Sequence, residues 1–126
     1  MSAMNQTIEN ITVIGLGLIG ASFAAAFTAS RPSARVFGVD VSADSVDKAK
    51  REGWICGGST PEDPAFREFV MTGNLPDGAG EAQGEAAFHI CDLVMLAVPV
   101  DAAEGYLKKL AAWGYPNIVT DTASTK

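Results

Sequence analysis

The stretch Val13-Ile14-Gly15-Leu16-Gly17-Leu18-Ile19-Gly20 decides how the chain is read. Before its glycines, Ile11 to Ile14 is a run of β-branched residues without charge, as in a parallel strand buried on both faces. After them, Ile19, Phe23 and Phe27 recur four apart, the spacing of one helical face. The order implied is strand, tight turn, helix, and each glycine has a separate task in it. Gly15 lets the chain leave the strand, and Gly17 has no Cβ to hold a pyrophosphate away from the backbone. Gly20, with Ala24 one turn later, brings the helix close to the sheet. The unpaired N–H groups and positive dipole end of that helix then face the phosphates.

Glycines at this spacing are a weak signal alone, so the discriminating residue is an acid ending the next strand, about 20 residues further on. Asp40 fills that place, after Arg35-Val36-Phe37-Gly38-Val39. A carboxylate there accepts both ribose hydroxyls of the adenosine half of NAD and repels the 2′-phosphate of NADP. The expected fold is therefore α/β, a Rossmann-type doubly wound, mostly parallel sheet with helices on both faces. NAD is the expected cofactor, with Gly15, Leu16, Gly17, Leu18, Ile19, Gly20 and Asp40 as binding residues.

Bulk properties agree. A length of 126 residues suits one domain, small for an enzyme that must hold both cofactor and substrate. With 48% hydrophobic and 19% charged residues, a folded core is expected. A net charge of −6 without a Lys/Arg cluster argues against nucleic acid or an anionic membrane as partner, and for a small molecule. The uncharged stretch Ile11 to Ser30 has glycines, a strand-like start and no basic segment before it, so it reads as a soluble α/β unit rather than a membrane span or signal. No targeting segment is evident, and a cytoplasmic location is expected. Cys56 and Cys91 fit no metal-ligand spacing and read as reduced, partly buried thiols, and His89 reads as a loop or surface histidine. No metal site is expected.

Along the chain, residues 1–9 are polar and read as a disordered lead into a dinucleotide-binding domain over 10–126. The first helix spans Leu18 to Ser30 and ends at Arg31-Pro32-Ser33, and the second strand is Ala34 to Val39. Ser42 caps a helix over Ala43 to Glu52, closed by Gly53. Trp54-Ile55-Cys56 reads as a third strand and Gly57-Gly58-Ser59-Thr60 as a turn. A helix over Pro64 to Met71 packs Phe66, Phe69 and Val70 inward, and residues 72–87 form a mobile excursion. The apolar run Cys91 to Pro99 is a strand of the sheet interior. Its carboxyl end, Ala97, Val98 and Pro99, either passes along the cofactor or serves only as core and terminator. A helix over Asp101 to Trp113 buries Ala103, Leu107 and Leu110, and the last strand is Asn117 to Thr120.

Three blocks now stand in order: Ile14 to Ser22, Asp92-Leu93-Val94-Met95-Leu96-Ala97-Val98-Pro99-Val100, and Asp121-Thr122-Ala123-Ser124-Thr125-Lys126. Together they resemble the cofactor-binding half of prephenate and arogenate dehydrogenases, with Ala21 and Ala123 where that family often has glycine. The resemblance implies oxidation of the ring carbinol of prephenate or arogenate, with loss of carbon dioxide and aromatisation to hydroxyphenylpyruvate or tyrosine, a step of tyrosine biosynthesis. In the family the serine matching Ser124 lies near the substrate hydroxyl and the nicotinamide, which makes Ser124 the catalytic candidate; its other reading is a polar turn capping a helix. The family's proton-accepting histidine and its helical substrate and dimerisation domain have no counterpart in these residues. The resemblance thus implies a cofactor-binding piece without turnover of its own, from a homodimeric parent dehydrogenase. Two rivals stand beside it. One is another Rossmann oxidoreductase, such as a hydroxyacid dehydrogenase or imine reductase; the other is a free-standing NAD-binding or redox-sensing module.

Overall fold

A computed structural model describes residues 8–75 and 89–122. Most of the expected disordered lead (1–7), most of the expected mobile excursion (76–87), and Ser124 lie outside the described residues.

Five strands form one parallel sheet: β1 (Asn10–Ile14), β2 (Arg35–Val39), β3 (Gly57–Ser59), β4 (Leu93–Leu96) and β5 (Ile118–Asp121). Their spatial order is β3-β2-β1-β4-β5. The chain therefore winds outward from β1 in one direction, then returns to β1 and winds the other way. The reversal opens a crevice beyond the carboxyl ends of β1 and β4, where ligands of such sheets bind.

Because each central strand is buried on both faces, its alternate side chains feed two separate cores. Ile11, Val13 and Val36 meet α1 (Leu18–Ser30) and α2 (Ala43–Arg51) on one face. Ile14, Phe37, Val39, Val94 and Leu96 meet α3 (Pro64–Thr72) and α4 (Val100–Trp113) on the other. Phe37 stacks on Phe69 at 4.9 Å between ring centres, and Phe66 meets Trp113 edge-on at 4.9 Å. Ser42 caps α2 as expected, its hydroxyl accepting from the Ser45 N–H at 3.2 Å.

Four sequence expectations are corrected. Ile19 is 60% exposed, and α1 instead buries Gly20 and Ala24, the residues small enough to let its backbone approach the sheet. Phe23 and Phe27 flank that stripe and stack on each other at 5.8 Å. The third strand is Gly57–Ser59 rather than Trp54 to Cys56, so the stretch Gly57 to Thr60 is not a simple turn. Ile55 turns inward over Gly38, and a Cβ on Gly58 would overlap the Gly38 carbonyl, so the glycines are what allow this close strand approach. Cys56 is exposed, not partly buried, because it alternates with the inward Ile55. On α4 the buried residues are Ala103, Tyr106 and Leu110, and Leu107 is 44% exposed. The helix is turned so that the Tyr106 ring meets the edge of Phe66, which moves Leu107 off the core face. Strand ends also shift: β4 is shorter than the apolar run that contains it, and β5 begins one residue later than expected. No helix of the described residues is long and apolar enough to cross a membrane.

Candidate nucleotide site

The ends of three strands meet at the glycine turn. Gly15 takes φ = +99°, a conformation that L side chains rarely adopt, and its N–H donates to the Val39 carbonyl at 2.7 Å. A Cβ on Gly15 would also overlap the Ala97 carbonyl and the Val98 side chain. Gly20 is equally constrained, since its Cβ would collide with the Gly15 carbonyl oxygen. Gly17 is different. Nothing lies within 4 Å of its would-be Cβ, and it caps α1 without a side-chain hydrogen bond. The first N–H groups of α1 have no intrahelical acceptors and surround this open space, a cradle for an anion. Two of the three glycines thus serve packing, and the third leaves room.

Asp40 stands at the end of β2, where both of its oxygens are held by backbone. Oδ2 accepts the Leu16 N–H at 2.6 Å and Oδ1 accepts the Ser42 N–H at 2.8 Å. Each carboxylate oxygen has a second lone-pair direction, so the group can still accept from ligand hydroxyls while its orientation is fixed.

A cleft of about 300 Å³ runs along these groups. Its lining is Gly15, Gly17, Asp40 and Val41 after the ends of β1 and β2, Ala97, Val98 and Pro99 after β4, and Ala102 and Tyr106 of α4. Six expected binding residues are therefore brought together: Gly15, Gly17, Asp40, Ala97, Val98 and Pro99. Leu16 and Gly20 are buried and lie outside the lining, while Leu18 and Ile19 are exposed at the start of α1, also outside it. Leu16 contributes through its backbone, by orienting Asp40. Thr122, after β5, donates to the Leu96 carbonyl from its N–H at 3.0 Å and its hydroxyl at 3.2 Å, at the residue before Ala97.

Sequence reasoning missed Val41, Ala102 and Tyr106. Ala102 and Tyr106 are four apart, a helical-face signal that was present but was outweighed by the leucine spacing at Leu107 and Leu110. Burial pushes the Tyr106 phenol above its ordinary value, and the charges of Asp40 and Glu62 push it the same way, so it keeps its proton and can donate. No lysine or arginine lines the cleft. Among the described residues no group of three or more His, Cys, Asp or Glu could hold a metal ion.

No protein-family model matches the chain. It is 31% identical over 125 residues to a prephenate dehydrogenase of Bacillus subtilis (strain 168), an alignment covering 98% of this chain and 28% of that protein. Among solved structures, it is similar to prephenate dehydrogenase from Aquifex aeolicus, with a TM-score of 0.64 and 26% identity over 88% of this chain and 33% of that one. The A. aeolicus enzyme in complex with hydroxyphenyl propionate and NAD+ aligns with a TM-score of 0.65 and 24% identity, covering 92% of this chain and 34% of that chain. Synechocystis arogenate dehydrogenase aligns with a TM-score of 0.61 and 24% identity, over 93% and 34% of the two chains. The chain spans about a third or less of the length of each of these relatives.

Proposed function

We propose that the chain is a dinucleotide-binding domain whose ligand is NAD, of the prephenate and arogenate dehydrogenase family over the part of those proteins that it spans. The observation that carries the reading is the pairing of an open Gly17 with an oriented Asp40 in the lining of one cleft. The cradle beside Gly17 accepts a pyrophosphate through backbone N–H groups and the helix dipole. Asp40, held by Leu16 and Ser42, accepts the two hydroxyls of the adenosine ribose. Discrimination against NADP follows from charge: a 2′-phosphate beside Asp40 would find no cation in the lining to offset the repulsion. Ala97, Val98 and Pro99 form an apolar wall that directs the ligand along the carboxyl end of β4.

For the parent enzyme, the proposed reaction is oxidation of the ring carbinol of prephenate or arogenate, with decarboxylation and aromatisation, in tyrosine biosynthesis. Bound NAD would supply the hydride acceptor. Ser124 follows β5 closely in sequence, and we assign it contact with the substrate hydroxyl, where a donor or acceptor would hold the oxygen during proton removal. The 126 residues themselves are proposed to bind cofactor without turnover, within a homodimeric, cytoplasmic parent; that assignment rests on the family resemblance.

Titration calorimetry of the chain with NADH and NADPH tests the reading. Tighter binding of NADH is expected, with a preference that narrows in Asp40→Ala. Tighter binding of NADPH by the unmodified chain would overturn the cofactor assignment, and binding of neither would overturn the site.

A further inference from the structure

Resting on the reading that the cleft takes a dinucleotide, we propose that Tyr106 is an adenosine-positioning residue: together with Val41 in the same lining, it holds the adenine ring and donates a hydrogen bond to it. Two observations outside the glycine turn support this. Val41 directly follows Asp40 and lines the cleft, yet 78% of it is exposed, an apolar side chain left at the mouth without a neighbour to cover it. Tyr106 is the reverse, a residue only 8% exposed whose hydroxyl has no hydrogen-bond partner among the described residues. No buried side-chain oxygen of the described residues lacks a partner, so that hydroxyl must reach open space, and the space it borders is the cleft.

The chemistry selects the base rather than another part of the ligand. A pyrophosphate is satisfied at Gly17, and the hydroxyls of the adenosine ribose at Asp40; the part of the ligand attached to that ribose, next to Val41, is a flat body carrying hydrogen-bond acceptors. Adenine has that character, with ring nitrogens able to accept from a phenol and faces that pack against Val41 and the edge of α4 at Ala102. The phenol keeps its proton beside the Asp40 charge and is thus present as a donor. Phe66 braces the Tyr106 ring edge-on, 6.2 Å between centres, which fixes where the hydroxyl points.

Calorimetry with ADP-ribose, which carries adenosine and pyrophosphate but no nicotinamide, tests the proposal on the 126-residue chain. Tyr106→Phe keeps the braced ring and removes only the hydroxyl; it is expected to weaken ADP-ribose roughly 3- to 10-fold, the span of one hydrogen bond. Val41→Ser alters an exposed residue and is expected to weaken it by a few-fold, while nicotinamide mononucleotide binds both variants and the unmodified chain alike. Thermal unfolding of each variant checks that the fold is intact. ADP-ribose binding by the unmodified chain with equal affinity in both variants would overturn the role of Tyr106 and leave the dinucleotide site standing. Failure of the unmodified chain to bind ADP-ribose would overturn both.

Discussion

At the scale of single residues, Gly15, Gly17 and Gly20 look alike in the sequence and do different work. Gly20 is where the helix meets the turn's own carbonyl, so Gly20→Ala is expected to destabilise the fold by about 3 kcal/mol or more, since backbone must move to admit the methyl group. Gly17→Ala places its methyl in open space at φ = −75° and is expected to change stability by less than about 1 kcal/mol. On the proposed reading the same methyl would stand in the space that takes the pyrophosphate, so dinucleotide affinity is expected to fall about 10-fold or more. Chemical denaturation and calorimetry on the two variants separate these effects. Loss of binding with no loss of stability in Gly20→Ala would reverse the assignment. The spacing of the three glycines was legible from the start, and so was the acid at Asp40. That Asp40 is clamped by the Leu16 and Ser42 N–H groups was not, because a backbone donor leaves no mark on residue type.

Among the elements, α4 is where sequence and structure part most clearly. Ala103 and Leu110 were expected to be buried and are, but the third core residue is Tyr106 and not Leu107. Hydrophobic spacing favoured a leucine, whereas packing favoured the larger ring that could reach Phe66 and also border the cleft. Leu110→Ala is accordingly expected to cost about 2–4 kcal/mol, and Leu107→Ala about 1 kcal/mol or less, by urea denaturation. Equal costs would place Leu107 back in the core. The edge strand β3 makes the same point with the opposite chemistry. Two glycines and a serine carry no strand propensity, yet they pair in parallel with Phe37, Gly38 and Val39, since only a residue without a side chain fits against the Gly38 carbonyl.

For the whole molecule, the amino ends of the strands oppose the cleft and hold a buried polar cluster. The Cys91 sulfur lies 3.3 Å from the Thr12 hydroxyl, and the Tyr115 hydroxyl donates to the Cys91 carbonyl at 2.7 Å. Burial pushes the Cys91 thiol from 9.0 to about 11, and burial likewise pushes the Tyr115 phenol far above its ordinary value. Both groups then keep protons in the folded chain at pH values where the unfolded chain has released them. Above about pH 9 the folded state binds more protons than the unfolded one, so stability must fall as pH rises. Guanidinium midpoints at about pH 8 and about pH 10.5 should show that loss, and Cys91→Ala should make it smaller by removing the thiol contribution. An identical loss in the variant would assign the alkaline sensitivity to Tyr115 and Tyr106 alone.

What the sequence determined by itself was the plan: β-strand, glycine turn and helix at Val13 to Gly20, an acid at position 40, and apolar runs spaced for a parallel doubly wound sheet. These are properties of residue type and period, which local chain geometry reads directly. What only the tertiary structure decided was which residues share the cleft. Val41 follows β2 whereas Ala102 and Tyr106 belong to α4, and no local period relates Val41 to α4; they meet because winding outward from β1 in both directions brings the end of β2 and α4 to the same crevice. That meeting depends on side-chain volume and strand order together, and neither is a property of any single stretch of the chain.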